Sequence, residues 1–299
     1  MSICSHKVRM TLAEKGLPYI SLEVRIAHQE NYNPVYANLR LASDVARNTK
    51  LASNYSGSSG VQDTGFDAWV VPTLVDVEKN SIIADSRLIC LYLCQVLSLH
   101  GVDRDELLPS DIETEVLAQL DKVDSFPHVA LFYGPNPDGD RRPSLFREAS
   151  AGAHERKIAA LKATWESVRG ENAELDAAYA AKISKESAAS AFVTNPDRMR
   201  TTIANTDQLV GELGKILAAS GGTWCFGDRF TLADIFWIVT LFRLEFLGYG
   251  WLWQERSDRA HISRYAEAGY ARNSMKYAVR HWPGSCPYSE WIAKWLPTK

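Results

Sequence analysis

Chemistry could begin at the start of the chain, in the run Ser2-Ile3-Cys4-Ser5-His6-Lys7. If Ser2 caps a helix, Cys4 falls in its first turn. There the unpaired backbone N–H groups and the helix dipole favour a thiolate. His6 and Lys7 add positive charge close by. Three residues after Cys4 stands Lys7 and not a second cysteine, so a dithiol exchange lacks its resolving thiol. Val71-Pro72-Thr73 is a second candidate, because proline inside a strand pattern marks an edge, a bulge or a cis turn. A cis bond would turn the Val71 backbone outward, toward an extended, peptide-like ligand; the plainer reading is an ordinary edge proline. Asp85-Ser86 is a third. A hydroxyl, a carboxylate and free N–H groups at a helix start can hold an amino-acid head group, or simply cap the helix. Thr231-Leu232-Ala233-Asp234 has the spacing of a capping box and reads as structural.

Local signals predict the elements that carry these residues. Residues 2–15 read as a helix, capped by Ser2 and stopped by Gly16. Residues 19–24, YISLEV, alternate as a strand does. Residues 25–68 read as a long polar excursion, helical around 37–50 and Ser/Gly-rich at 54–60. Residues 69–76 and 81–84 predict a hairpin with its turn at 78–80, and Asp85-Ser86 opens a helix to about 97. From about 111 onward every periodic segment is helical, broken by a loop at 134–143. The stretch 100–111 reads as a linker, with Asp103 and Asp105 solvated.

Composition narrows the function classes. The 299 residues suggest two domains or one large one, and 46% hydrophobic with 23% charged suits a globular core. A net charge of −3, without basic patches beside exposed aromatics, gives no reason to expect nucleic acid or an anionic membrane as partner. No apolar run is long enough for a membrane span, and none near Met1 resembles a secretory signal. Five scattered cysteines, an odd number, point to a reducing cytoplasm and not to a disulfide scaffold; Cys90 and Cys94 read as buried small hydrophobes. The seven histidines have no metal-ligand spacing, and no Walker loop or GxGxxG occurs.

Taken in order, a capped thiol, a strand with Val-Pro-Thr-Leu, a hairpin, Asp-Ser at a helix start and Gly-Asp-Arg-Phe-Thr-Leu-Ala-Asp-Ile at 227–235 resemble the glutathione S-transferase superfamily. SICSHKVRMTLAEKGLPY is similar to the first helix of the tetrachlorohydroquinone reductive dehalogenases. Residues 39–61, with VVPTLVD and DSRLICLYL, look most like the 2,5-dichlorohydroquinone group. The resemblance implies an α/β plus all-α fold: a thioredoxin-like glutathione-binding domain over 1–97 and an enlarged helical domain over 111–299. That fold has a strand ahead of the first helix. This sequence starts at the helix cap, so the strand is expected to be missing, through a misassigned start or truncation.

The resemblance also assigns roles. Cys4 would be the essential cysteine, and Ser2 would contribute to the glutathione thiolate. Val71 and cis-Pro72 would pair with the cysteinyl part of glutathione, and Asp85 with Ser86 would hold its γ-glutamyl end. Arg47 and Lys50 are candidates for the glycine carboxylate. The implied activity is glutathione-dependent reductive dehalogenation of a chlorinated hydroquinone or a similar small aromatic, by a cytoplasmic protein, as a homodimer. Glutathione transfer, aryl-ether cleavage, or a glutathione-fold protein that binds a partner without turnover stand as alternatives.

Overall fold

The computed structural model describes residues 2–55, 57–58, 60–96 and 104–282. In chain order the elements are α1 (Ile3–Glu14), α2 (Pro34–Leu41), α3 (Asp44–Asn48), α4 (Val61–Thr64), β1 (Leu74–Asp76), β2 (Ser81–Ile83) and α5 (Ser86–Gln95). Then come α6 (Arg104–Leu107), α7 (Glu113–Asp124), α8 (His128–Tyr133), α9 (Ser144–Ser150), α10 (Ala153–Val168), α11 (Ala173–Val193) and α12 (Pro196–Ala219). The last are α13 (Leu232–Phe246), α14 (Trp251–Gln254), α15 (Ala260–Ala271), α16 (Asn273–Met275) and a π-helical turn, Lys276–Arg280.

Local chemistry sets many of these boundaries. Ser2 caps α1, its Oγ accepting from Ser5 N at 3.3 Å. Asn33 caps α2 through Val35 N at 2.8 Å, with Pro34 at the first helical position, where its missing N–H costs nothing. Ser43 caps α3, so the helix expected around 37–50 is two short helices. β1 and β2 pair antiparallel in the register Leu74–Ile83, Val75–Ile82 and Asp76–Ser81. Asp76 Oδ1 accepts from Glu78 N and Lys79 N, both at 3.0 Å, and shapes the turn between them.

The strand expected over 19–24 does not form. Ile20 and Leu22 are 90% and 85% exposed, and no described backbone group pairs with residues 19–24. Alternation makes a strand only where a neighbour offers its ladder, and none of the described residues does. For the same reason the strand expected over 69–76 shortens to β1. Part of the 54–60 patch, much of the 97–111 stretch and Cys286 lie outside the described residues.

Contacts divide the chain into two compact units that are discontinuous in sequence. The first draws on Met1–Ser21, Ser86–Val123 and Asp207–Lys299. Its centre is α13, buried at every residue from Leu232 to Leu244; a helix apolar all round must be covered on all sides. α1 packs on α13, α5 and the π-helical turn. Asp234 performs the expected capping role. Its Oδ2 accepts from Thr231 N (2.8 Å) and Oγ1 (3.0 Å), its Oδ1 from Cys225 N (2.9 Å) and Tyr265 Oη (3.0 Å).

The second unit draws on Leu22–Asp85 and Asp124–Thr206. α10 and α11 pack along each other, and α2 and α8 lie against α11. Phe66, Trp69, Leu161 and Tyr179 form its core, with the Trp69 and Tyr179 rings 4.2 Å apart. The segment entering this core is pinned by Phe66 N to Lys50 O and Ala52 N to Phe66 O, both at 2.8 Å. Gly65 permits that approach. Its φ is +92°, and a Cβ there would stand 2.5 Å from the Lys50 carbonyl.

Candidate active site

Cys4 sits in the first turn of α1, half-buried, directly after the Ser2 cap. The helix start that favours a thiolate is therefore in place. The other described cysteines differ. Cys90 and Cys94 are fully buried in α5, and the Thr11 hydroxyl lies 3.4 Å from Cys90 Sγ. Cys225 is buried beside Asp234, and burial pushes its thiol well up. Below Cys4, α1 carries two buried basic residues. Lys7 lies over the Phe236 ring with its Nζ 4.1 Å from the centroid, and His6 is tilted against Phe242 at 6.5 Å. Thus His6 and Lys7, expected as nearby positive charge, turn inward onto α13.

In the second unit the Val71–Pro72 peptide is cis. The Val71 N–H and C=O make no hydrogen bond among the described residues and are available to an extended ligand. Thr73 and Pro72, by contrast, are tied down. Arg40 Nη1 donates to Pro72 O (2.7 Å) and Thr73 Oγ1 (2.8 Å), and Tyr36 Oη bonds Val70 O (2.9 Å) and Thr73 Oγ1 (3.1 Å). Arg40 Nη2 donates to Ala84 O (2.7 Å) and Asp67 O (3.1 Å). Asp85, half-buried, follows Ala84 and ends this unit; Ser86, buried, is the first residue of α5 in the other. Ser2, Cys4 and Ser86 thus belong to the first unit, and Val71, Pro72 and Asp85 to the second.

Arg47 and Lys50 are placed less suggestively. Arg47 is exposed and engaged with Asp44 and the Ala42 carbonyl, while the Lys50 carbonyl pairs with Phe66.

Sequence reasoning missed two features of the second unit. One is Arg40, a guanidinium on the buried stripe Ala37-Arg40-Leu41 of α2; a charge on an apolar stripe was the available signal. The other is an ionic cluster under Trp69. Asp67 Oδ2 meets Lys182 Nζ at 2.7 Å and Lys185 Nζ at 3.1 Å, and Asp67 Oδ1 accepts from Trp69 N at 2.9 Å. Glu186 meets Lys182 (2.8 Å), Lys157 (3.2 Å) and His154 Nδ1 (2.7 Å). Burial alone would raise both carboxyls, but the lysines hold Asp67 and Glu186 well below the usual carboxylate range.

Comparison with known proteins fits this geometry. Residues 1–96 match the glutathione S-transferase N-terminal domain and residues 176–268 its C-terminal domain. The chain is 47% identical to the 2,5-dichlorohydroquinone reductive dechlorinase of Sphingobium indicum over 288 residues, 96% of this chain and 82% of the relative. Among solved structures it resembles the β-etherase LigF of Sphingobium sp. strain SYK-6 (TM-score 0.57, 15% identity, 92% of this chain and 93% of that one). It also resembles Gtt2 of Saccharomyces cerevisiae (TM-score 0.52, 13% identity, 93% and 96%). With a capped thiol on its first helix, an open Val71 backbone beside Pro72 and both domain matches, this chain belongs to the glutathione S-transferase family.

Proposed function

We propose that the chain removes halide from a chlorinated hydroquinone at the cost of two glutathiones, with Cys4 as the residue that accepts sulfur. The observation that carries this reading is the contrast among thiols: Cys4 alone of the described cysteines is both accessible and at a helix start. The activity named for the 47% identical relative supports the choice of ring.

The reaction proceeds in three transfers. A glutathione thiolate adds to the keto tautomer of the ring, and chloride leaves with the bonding pair, giving an aryl–glutathione conjugate. The Cys4 thiolate attacks the sulfur of that conjugate in its keto form, whose ring carbon already carries hydrogen; the carbon–sulfur bond breaks, its electron pair passes into the ring as the enolate, and the ring oxygen takes a proton as the ring becomes aromatic again. Cys4 now holds glutathione in a mixed disulfide, which a second glutathione thiolate displaces as glutathione disulfide. Two glutathiones are oxidised for each carbon–halogen bond reduced. Lys7 stands where a resolving cysteine would be, which suits release by an external thiol.

Ser2 supports the glutathione thiolate, the Val71 backbone beside Pro72 pairs with the cysteinyl part, and Asp85 with Ser86 holds the γ-glutamyl end. The domains are the glutathione-binding part over 1–97 and the helical part over 111–299. The protein acts in the cytoplasm, where glutathione is abundant, and as a homodimer, which light scattering on the purified chain tests.

The deciding experiment incubates 2,5-dichlorohydroquinone and glutathione with wild type and Cys4→Ser. Wild type should release chloride, produce one glutathione disulfide per chloride, and carry one glutathionyl group when quenched at limiting glutathione. Cys4→Ser should accumulate the aryl–glutathione conjugate. If the conjugate is the final product of wild type, glutathione transfer replaces this reading. If glutathione does not bind, a binding-only or unrelated role does.

A further inference from the structure

We infer that Arg40 is a positioning residue for glutathione, holding in one frame the backbone segments that receive its cysteinyl and γ-glutamyl parts. The inference rests on the reading of Val71, Pro72 and Asp85 given above. Arg40 is 1% exposed and has no carboxylate partner among the described residues. Burying a charge without an opposite charge is costly unless its donors are filled. Here the two terminal nitrogens are filled by three backbone carbonyls and one hydroxyl, Pro72 O, Ala84 O, Asp67 O and Thr73 Oγ1, and only Nε is left without a partner among the described residues. A helix that only needed to cover the core would carry another apolar residue there, as it does at Ala37 and Leu41.

The acceptors explain the arginine. Pro72 follows Val71, whose N–H and C=O are open, and Ala84 precedes Asp85. Neither Pro72 nor Ala84 lies in a strand, so no ladder fixes their carbonyls. One planar fork does so for both, and with them the spacing between an open backbone edge and a carboxylate. Lysine has the charge without the fork and cannot reproduce four fixed bonds. Tyr36, one turn earlier on α2, holds the other side of the same edge through Val70 O and Thr73 Oγ1.

The test measures glutathione binding by titration calorimetry on the full chain. Alongside it run chloride release as a function of glutathione, and of hydroquinone, and thermal melts. The proteins are wild type, Arg40→Lys, Tyr36→Phe and Asp85→Ala. Arg40→Lys should raise the glutathione Kd and KM by about tenfold or more, leaving the hydroquinone KM within about twofold. Tyr36→Phe, which removes only a hydroxyl from a half-buried ring, should raise both glutathione constants by about two- to fivefold. It decides the matter if Arg40→Lys does not fold. Unchanged glutathione constants in the folded variants, with weakened binding in Asp85→Ala, would make Arg40 a packing residue and overturn the inference alone. Unchanged binding in Asp85→Ala as well would overturn the glutathione-site reading, and the inference with it.

Discussion

The two units solve the same problem with different materials. The first builds its centre on α13, buried at every residue from Leu232 to Leu244, with Asp234 satisfied by donors at the helix start. The second has short helices but no strand between residues 22 and 73 among the described residues, so side chains must take the hydrogen bonds that strands would otherwise supply. Arg40, Tyr36 and Asn31 do so, Asn31 Nδ2 donating to Trp69 O at 2.5 Å. Beneath them a buried chain of charges runs from Asp67 through Lys182 to Glu186 and His154. Packing on the apolar α13, pinned at the edges by Glu14 to Arg272 and by Arg9 to the Ala278 carbonyl, therefore anchors the thiol helix, whereas a network of polar side chains anchors the backbone edge at Val71. Apolar contact is tolerant of small shifts, whereas a filled polar network is specific in geometry and fragile when one member is removed.

The largest expected effect attacks that fragility. Asp67→Ala leaves Lys185 buried without its carboxylate and Lys182 with Glu186 alone, and should destabilise the protein by about 3–5 kcal/mol in urea unfolding. A loss below about 1 kcal/mol would mean that Glu186 and water compensate, and the contrast between the units would fade.

A pH series sharpens the comparison, because the two regions titrate with opposite sign. In the second unit Asp67 and Glu186 titrate below their unfolded values in the native state. Their contribution is complete above about pH 4.3 and is lost as the pH falls through the depressed native values. In the first unit, burial pushes the Glu245 carboxyl up to about 7, against the hydrogen bond that Gln254 donates to it. That raised value contributes fully below about pH 4.3 and is lost as the pH rises through about 7. Glu245→Gln should therefore flatten the alkaline limb, gaining about 1–3 kcal/mol on wild type between pH 4.5 and 8. Parallel stability curves for the two proteins would remove Glu245 from the account.

The smallest effect is local. Ser2→Ala removes the side-chain cap of α1 and should cost about 1 kcal/mol in the same unfolding assay, a loss that Ser2→Asn restores. No loss would show that packing on α13 alone holds the first turn.

Where a feature depends on residues three or four apart, the sequence determined it. Ser2 and the thiol in the first turn of α1, the Thr231–Asp234 box, the 78–80 turn and the start of α5 at Ser86 are all of this kind. Their partners are fixed by helix and turn geometry, so residue type at a given offset suffices. The burial of α13 was legible too, since an apolar run has only one solvent it can avoid. Residues 19–24 show the limit of such signals: their alternation is real, but a strand also needs a partner that the pattern does not contain. The Asp67–Lys182 pair lies 115 residues apart and the Arg40–Ala84 bond 44 apart. Before folding, only its place on the stripe Ala37-Arg40-Leu41 sets Arg40 apart from Arg47, and nothing distinguishes Lys182 from Lys162. Only the packing of α2 and α11 against the 66–73 segment excludes water around one member of each pair, and that exclusion turns a surface charge into a structural one.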